Sequence, residues 1–530
     1  MTHPLSRRTF LGQGLQGAAG LAGLSFVSSG SQSTRPGALA ASGAQAGARP
    51  PNVVLILTDD QNYDTLGCYG VRDLMTPHLD RLAREGVRFD RAYTTTSLCT
   101  PSRYGCLTGQ FPSRCPLPRF TRGNPPGQQT YVGFNTALSP EIASLPRLLQ
   151  RAGYATGMVG KWHLGQVNMD QLGFDRKQFD RWKTDARDPG LNRVLARHQD
   201  LAAERVRACG FDYASRLYWN NAGSYFVDAI KTHNLEWVVE GALEFMDARR
   251  QTPFFLMVST TLHHVPHPQG SLWDDPRITM GGYLDEAPDA MPPRGALIDR
   301  VKQQGLDPGT AYCTYLDDGV GAILQKLEAL GLADDTLVVL FSDHQTPDKG
   351  TLYEAGVRTP ALLRWPRHVR GGRACGELVQ NLDLVPTVLE ACGIAPPDDM
   401  RIDGQSLLPM LTGRRRAIHS ALFFESGKTR AVCTDRWKYL ALRYPKPPEK
   451  LQDRYHGSLA ALQANVALRH PRYFDLDQLY DLRNDPEETA NRAEAEPEKR
   501  RELQARMRSW LATFGDHPFG DIYGGTSAAS

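Results

Sequence analysis

The sequence predicts an α/β protein: a large, mainly parallel sheet flanked by helices, with a smaller C-terminal α+β portion on a short antiparallel sheet. Three observations predict it. Apolar runs of strand length, such as Asn52–Leu57, Phe254–Val258 and Leu337–Phe341, lack polar alternation, as strands buried on both faces do. Longer segments of helical period stand between them, and strand–helix–strand order implies parallel pairing with helices on both faces. Carboxylates and imidazoles follow those runs directly: Asp59 and Asp60, His263 and His264, Asp343 and His344. Ligands of open α/β sheets bind beyond the carboxyl ends of strands, so three separate segments deliver polar groups to one edge.

In chain order, the strand Asn52–Leu57 is followed by Thr76-Pro77, a helix cap with proline at the first helical position. Leu79, Leu82 and Ala83 continue at helical spacing, and Gly86 stops the helix. A helix over Glu236–Arg250 precedes the Phe254 strand, and one over Ala311–Leu330, closed by Gly331, precedes the Leu337 strand. Gln166–Asn234 and Pro266–Asp307 show no clear period and read as insertions that shape a pocket. Beyond Thr412, short strands are expected at Ala421–Phe424, Ala431–Cys433 and Trp437–Leu442. A charged helix from Glu487 to about Leu511 and a Gly/Ser-rich tail follow. The expected organisation is 1–46 as leader and linker, 50–412 as the catalytic part, and 413–530 as the C-terminal portion and tail.

Composition narrows the class. The 530 residues are 41% hydrophobic and 22% charged, a globular balance. Lys+Arg number 61 against 58 Asp+Glu, a net charge of +3, which excludes a dedicated nucleic-acid binder. Nine cysteines are too sparse for a disulfide scaffold, and no CxxC pair suggests a zinc knuckle. At the N-terminus, Arg7-Arg8 precede a weakly apolar run to about Val27 that is too short and glycine-rich for a membrane span. A-x-A-like sites follow at Ala38–Ala40 and Ala44–Ala46. The pattern resembles a twin-arginine export signal, implying a bacterial periplasmic or secreted protein, the twin-arginine translocase as a transient partner, and no stable membrane anchor.

Two motifs supply chemistry. In Cys99-Thr100-Pro101-Ser102-Arg103, the proline fits a first helical turn, so Cys99 stands at a helix N-terminus, which favours an anion. Arg103, one turn on, can fork onto two oxygens of a tetrahedral oxyanion. In Gly153–Gly165, Lys161 and His163 are two apart and would share one face of a strand, joining a cation to a titratable imidazole. The carboxylates at the strand ends are hard ligands suited to calcium or magnesium, and their gathering is expected to be self-repelling without a cation.

The segments C-T-P-S-R-x-x-x-L-T-G and G-Y-x-T-x-x-x-G-K-W-H-L-G resemble the two signatures of the type I, formylglycine-dependent sulfatases of the alkaline-phosphatase-like superfamily. Ser342-Asp343-His344, Lys349–Glu354 and Leu479–Leu482 extend the similarity from Pro51 to about Phe514. The resemblance implies that Cys99 is oxidised to formylglycine by a formylglycine-generating enzyme. It implies that Asp59, Asp60, Asp343 and His344 hold Ca2+ (alternatively Mg2+) against residue 99. It further implies that Arg103, Lys161, His163, His264 and Lys349 bind sulfate and handle protons, with His264 chosen over His263 on the H-x-P-H register. His344 stands where many members have asparagine, Gln345 replaces a common glycine, and Ala355 replaces the first glycine of Y-E-G-G.

The implied function is hydrolysis of a sulfate monoester, aryl or carbohydrate, to alcohol and inorganic sulfate, the substrate being a sulfated small molecule or glycan. The alternatives are a phosphonate monoester or phosphodiester hydrolase of the same superfamily, and a non-catalytic sulfated-glycan-binding protein. The last would be expected to have lost Cys99, Arg103, Lys161 or Lys349, and all four are present.

Overall fold

The first apolar run forms β1 (Asn52–Thr58), a strand buried along its whole length. In the computed structural model, which describes residues 49–127, 129–165, 177–443, 466 and 468–515, β1 lies inside the main sheet. The 1–46 leader falls outside those residues. Six strands join β1 through the catalytic part: β2 (Val87–Tyr93), β3 (Ala155–Lys161), β4 (Tyr213–Tyr218), β5 (Phe254–Ser259), β8 (Thr336–Ser342) and β9 (Arg358–Arg364). A separate hairpin, β6 (Ile278–Thr279) and β7 (Gly282–Tyr283), sits in the second insertion. Short β10 (Arg373–Cys375) and β11 (Val379–Gln380) both pair with β2.

The sheet order is β10-β2-β9-β8-β1-β5-β3-β4, and the pairings β8–β1–β5–β3–β4 are all parallel. Among the described strands of the main sheet, β9 is the one that runs against its neighbours. The expected α/β class is therefore observed. Alternation along each strand feeds two cores: Val53, Leu55 and Leu57 of β1 pack on one face, Val54 and Ile56 on the other. Because β8, β1, β5 and β3 are adjacent and parallel, their carboxyl ends share one edge, and that edge is where the polar residues fall.

The insertion 166–234 holds more regular structure than its sequence suggests. A helix spans Pro189–Ala208 and β4 extends the main sheet. Segment 166–176 lies outside the described residues. The helix expected from Glu487 instead begins at Pro497, where proline takes the first turn, and runs to Leu511. The C-terminal sheet has four antiparallel strands, β12 (Leu422–Ser426), β13 (Thr429–Cys433), β14 (Trp437–Leu442) and β15 (Asp477–Asp481).

Candidate active site

Cys99 is the first residue of a helix over Cys99–Thr108, entered through extended Leu98, and every residue of that helix is buried. Asn381 holds the helix in place: its side-chain amide donates to the Ser102 carbonyl at 3.0 Å and hydroxyl at 3.2 Å, while its Oδ1 accepts from Thr95 N–H. The Cys99 Sγ lies 3.1 Å from His344 Nε2.

Lys161 ends β3 next to Gly160. A Cβ on Gly160, whose φ is +85°, would come within 1.9 Å of the Ser259 carbonyl oxygen, so only glycine allows β3 and β5 this close. The β3–β4 register shifts at the same point, a common way to re-aim a side chain. The shared strand face expected for Lys161 and His163 is not observed: β3 stops at Lys161, and His163 is outside it with φ +51°. Both reach the cluster nonetheless. Lys161 Nζ donates to Asp59, and the His163 ring stacks on Phe134.

Beyond β1, Asp60 adopts φ +55°, and its N–H donates to Asp343 Oδ1 at 3.2 Å, tying the ends of β1 and β8 together. Lys349 Nζ donates to both Asp60 oxygens at 2.8 and 3.0 Å. Arg103 Nε donates to Asp343 Oδ2 at 2.9 Å, and its Nη1 reaches Ser259 Oγ and the Lys161 carbonyl. His264 Nε2 is 3.7 Å from Asp60 Oδ2, whereas His263 turns its ring to Tyr312. All the residues singled out in the sequence therefore meet at one edge, with His264 rather than His263 directed inward. Ser259, Asn381 and Phe134 carried no signal in the sequence.

The electrostatics correct one expectation. The three carboxylates are not left to repel one another, since Asp59 faces Lys161, Asp343 faces Arg103, and Asp60 faces Lys349. Burial alone would raise the Asp59 carboxyl, but Lys161, His264 and Arg103 hold it well below the usual carboxylate range. Burial likewise opposes Lys349 and His264 in bringing Asp60 down to about 2. Burial and then Lys161 and Arg103 push the His163 imidazole well below its ordinary value, so it is neutral, and its Nδ1 is buried without a hydrogen-bond partner. Burial disfavours protonated His264, yet Asp60 and Asp59 raise it, so it can carry one.

Two buried polar atoms of the cluster make no hydrogen bond. Asp59 Oδ1 and Arg103 Nη2 are both buried without a hydrogen-bond partner, and they face each other as an ion pair at 3.8 Å. An orphan carboxylate oxygen suits a cation and an orphan guanidinium N–H suits an oxyanion. Ligand atoms of Asp59, Cys99, Asp343 and His344 all lie within 4.8 Å of one another, and Asp60 forms a second such group with Cys99 and His264. The imidazole among these oxygens also admits a transition metal on donor chemistry.

The profile of the sulfatase family matches residues 51–394, well over half of the chain. That of the C-terminal region of N-sulphoglucosamine sulphohydrolase matches 342–454. The chain is 31% identical to the steryl-sulfatase of Mus musculus over 88% of this chain and 83% of that one. It is 30% identical to the human N-acetylgalactosamine-6-sulfatase over 74% and 71% respectively. Among solved structures, a chain from work on glycosaminoglycan metabolism by Bacteroides thetaiotaomicron superposes with a TM-score of 0.60 at 22% identity, covering 88% of this chain and 100% of that one. The chain belongs to the sulfatase family and, with it, to the hydrolases of sulfuric esters.

Proposed function

We propose that this chain cleaves a sulfate monoester with a formylglycine derived from Cys99 and a divalent cation, calcium or magnesium, held by Asp59, Asp60, Asp343 and His344. The observation that carries the reading is Cys99 at a helix N-terminus, buried among paired carboxylates and cations at the sheet edge. A cation there supplies Lewis-acid activation, and a hydrated aldehyde supplies two hydroxyls on one carbon where serine has one.

The chain's own residues do the rest. Arg103, Lys161 and Lys349 bind the sulfate oxygens and stabilise charge as the S–O bond breaks. His264, raised by its carboxylate neighbours, donates a proton to the departing alcohol oxygen. His163, held neutral, accepts a proton from the residue 99 side chain when sulfate leaves. Asp343 orients Arg103 and takes up a proton from the attacking group.

A sulfated carbohydrate is the substrate class we favour. The support is a relative named for a sugar sulfate and a structural neighbour from glycosaminoglycan work. In addition, Trp273 stands exposed in the segment that follows His264, offering an aromatic face to a sugar. We further propose a bacterial periplasmic or secreted location reached through the twin-arginine route, with formylglycine-generating enzyme acting on the chain transiently. Lysine at both Arg7 and Arg8 should leave precursor in the cytoplasm, and unchanged export would remove that claim.

Purified protein offered nitrophenyl sulfate, an aryl phosphonate and a bis-aryl phosphate should turn over the sulfate fastest. Chelation should lower the rate and added calcium restore it. Faster phosphonate or phosphodiester turnover would overturn the reading, as would full activity after complete metal removal.

A further inference from the structure

His233, which no motif singled out, precedes the helix over Leu235–Arg249 and is completely buried. Its ring spans the loop that leaves β5 and carries His264. Nδ1 lies 2.7 Å from Thr261 Oγ1, and Nε2 lies 2.8 Å from the Pro266 carbonyl oxygen. A carbonyl only accepts, so Nε2 bears the hydrogen and donates it; in the neutral ring Nδ1 then accepts the Thr261 hydroxyl proton. Burial brings His233 down to about 4, which keeps the ring in this neutral form. One side chain thus joins the two ends of a loop with His264 between them.

The clamp is itself fixed. His233 N–H donates to Ser271 Oγ at 2.9 Å, and its carbonyl accepts from Arg294, whose guanidinium forks onto buried Glu236. Within the loop, His264 Nδ1 sits 3.0 Å from the Val265 carbonyl and so donates to it, leaving Nε2 as the atom that faces Asp60. The position of His264 Nε2 depends on where Val265 and Pro266 lie, and the His233 bond to the Pro266 carbonyl sets that.

We propose that His233 is a positioning residue for His264, clamping the Thr261–Pro266 loop so that Nε2 meets the departing alcohol oxygen. The proposal rests on the reading of His264 as the proton donor, and the experiment separates the two. Leaving groups of low pKa depart without a proton, whereas alcohols and sugars need one. A series of aryl and alkyl sulfates therefore reports on protonation, and general loosening of the fold does not produce a dependence on leaving group.

In the wild type, kcat should depend weakly on leaving-group pKa. His233→Phe should steepen that dependence, lowering kcat for the alkyl sulfate at least about tenfold while nitrophenyl sulfate changes by less than about threefold. His233→Gln, which can accept through Oε1 and donate through Nε2, should restore most of the loss. Thr261→Val removes one arm alone and should steepen the dependence to a smaller degree; it stands in if the phenylalanine variant does not fold. His264→Gln, measured in parallel, tests the underlying reading. If it shows no leaving-group dependence, His264 is not the donor. If it does, while His233→Phe and Thr261→Val slow all esters equally or not at all, or glutamine fails to rescue, the positioning role is wrong.

Discussion

Position 99 is where residue identity decides the chemistry. Its side chain sits at the start of a buried helix, within reach of His344 and in the field of Arg103 and Lys349, so a change there alters the reacting group with little change in surroundings. Cys99→Ala should abolish turnover. Cys99→Ser offers one hydroxyl that can attack sulfur once but cannot expel the sulfate it acquires, so it should stop after about one turnover. Intact mass and the tryptic peptide Ala92–Arg103 should show a sulfo adduct on the serine variant, and an aldehyde in place of the thiol in active wild type. Continued turnover by the serine variant would sink the mechanism. At this scale the sequence is legible where the two segments resemble family signatures, which single out Cys99, Arg103, Lys161 and His163. It is silent on what holds them. Asn381 and His233 act through distant contacts, and no local pattern distinguishes a bridging histidine from core filler.

Among the elements, those with undivided apolar runs are legible and those whose burial is partial are not. β1, β5 and β8 are buried along their whole lengths and appear within a residue or two of where the sequence places them. β4 is an edge strand with polar residues at half-buried positions, so its run is broken. The neighbouring helix buries Leu191, Leu195, His198, Ala202 and Val206 at helical spacing, but a histidine and small alanines dilute that stripe. The antiparallel direction of β9 depends on pairing partners far away in sequence. The C-terminal helix over Pro497–Leu511 shows what one large side chain contributes. Trp510 stacks on Phe423 with ring centroids 5.0 Å apart and meets Phe111 edge-on at 5.1 Å. Trp510→Ala should cost about 3 kcal/mol, the usual loss for removing a buried aromatic. A lower melting temperature with faster proteolysis after residue 421 should reveal it, and an unchanged melting curve would mean that the helix is not part of the stabilising core.

For the molecule as a whole, the pH response is a balance: histidines folded away in neutral form cost stability on mild acidification, while Asp317 and Glu488, pushed up to about 8 by burial, contribute stability there. Burial and adjacent positive charge bring His198 and His233 down to about 4, and His263 to about 3. Unfolded histidine titrates near 6.5, so between that value and about 4 the unfolded chain takes up protons that the folded chain refuses. The contribution of these residues is fully present above pH 6.5 and is lost as the pH falls through the folded values. Each such group steepens the loss by about 1.4 kcal/mol per pH unit in that window. Asp60, held at about 2 when folded, adds to the acid loss only below its ordinary value of about 4. His198 offers the cleanest check, since it lies beside Tyr225 in the insertion and both its ring nitrogens are buried without hydrogen-bond partners. His198→Leu removes one titrating group while keeping an apolar filling. Urea unfolding between pH 7 and 5 should therefore give a shallower decline for the variant than for wild type, by about one proton's worth. Parallel slopes for the two proteins would show that His198 is protonated as readily in the folded chain as in the unfolded one.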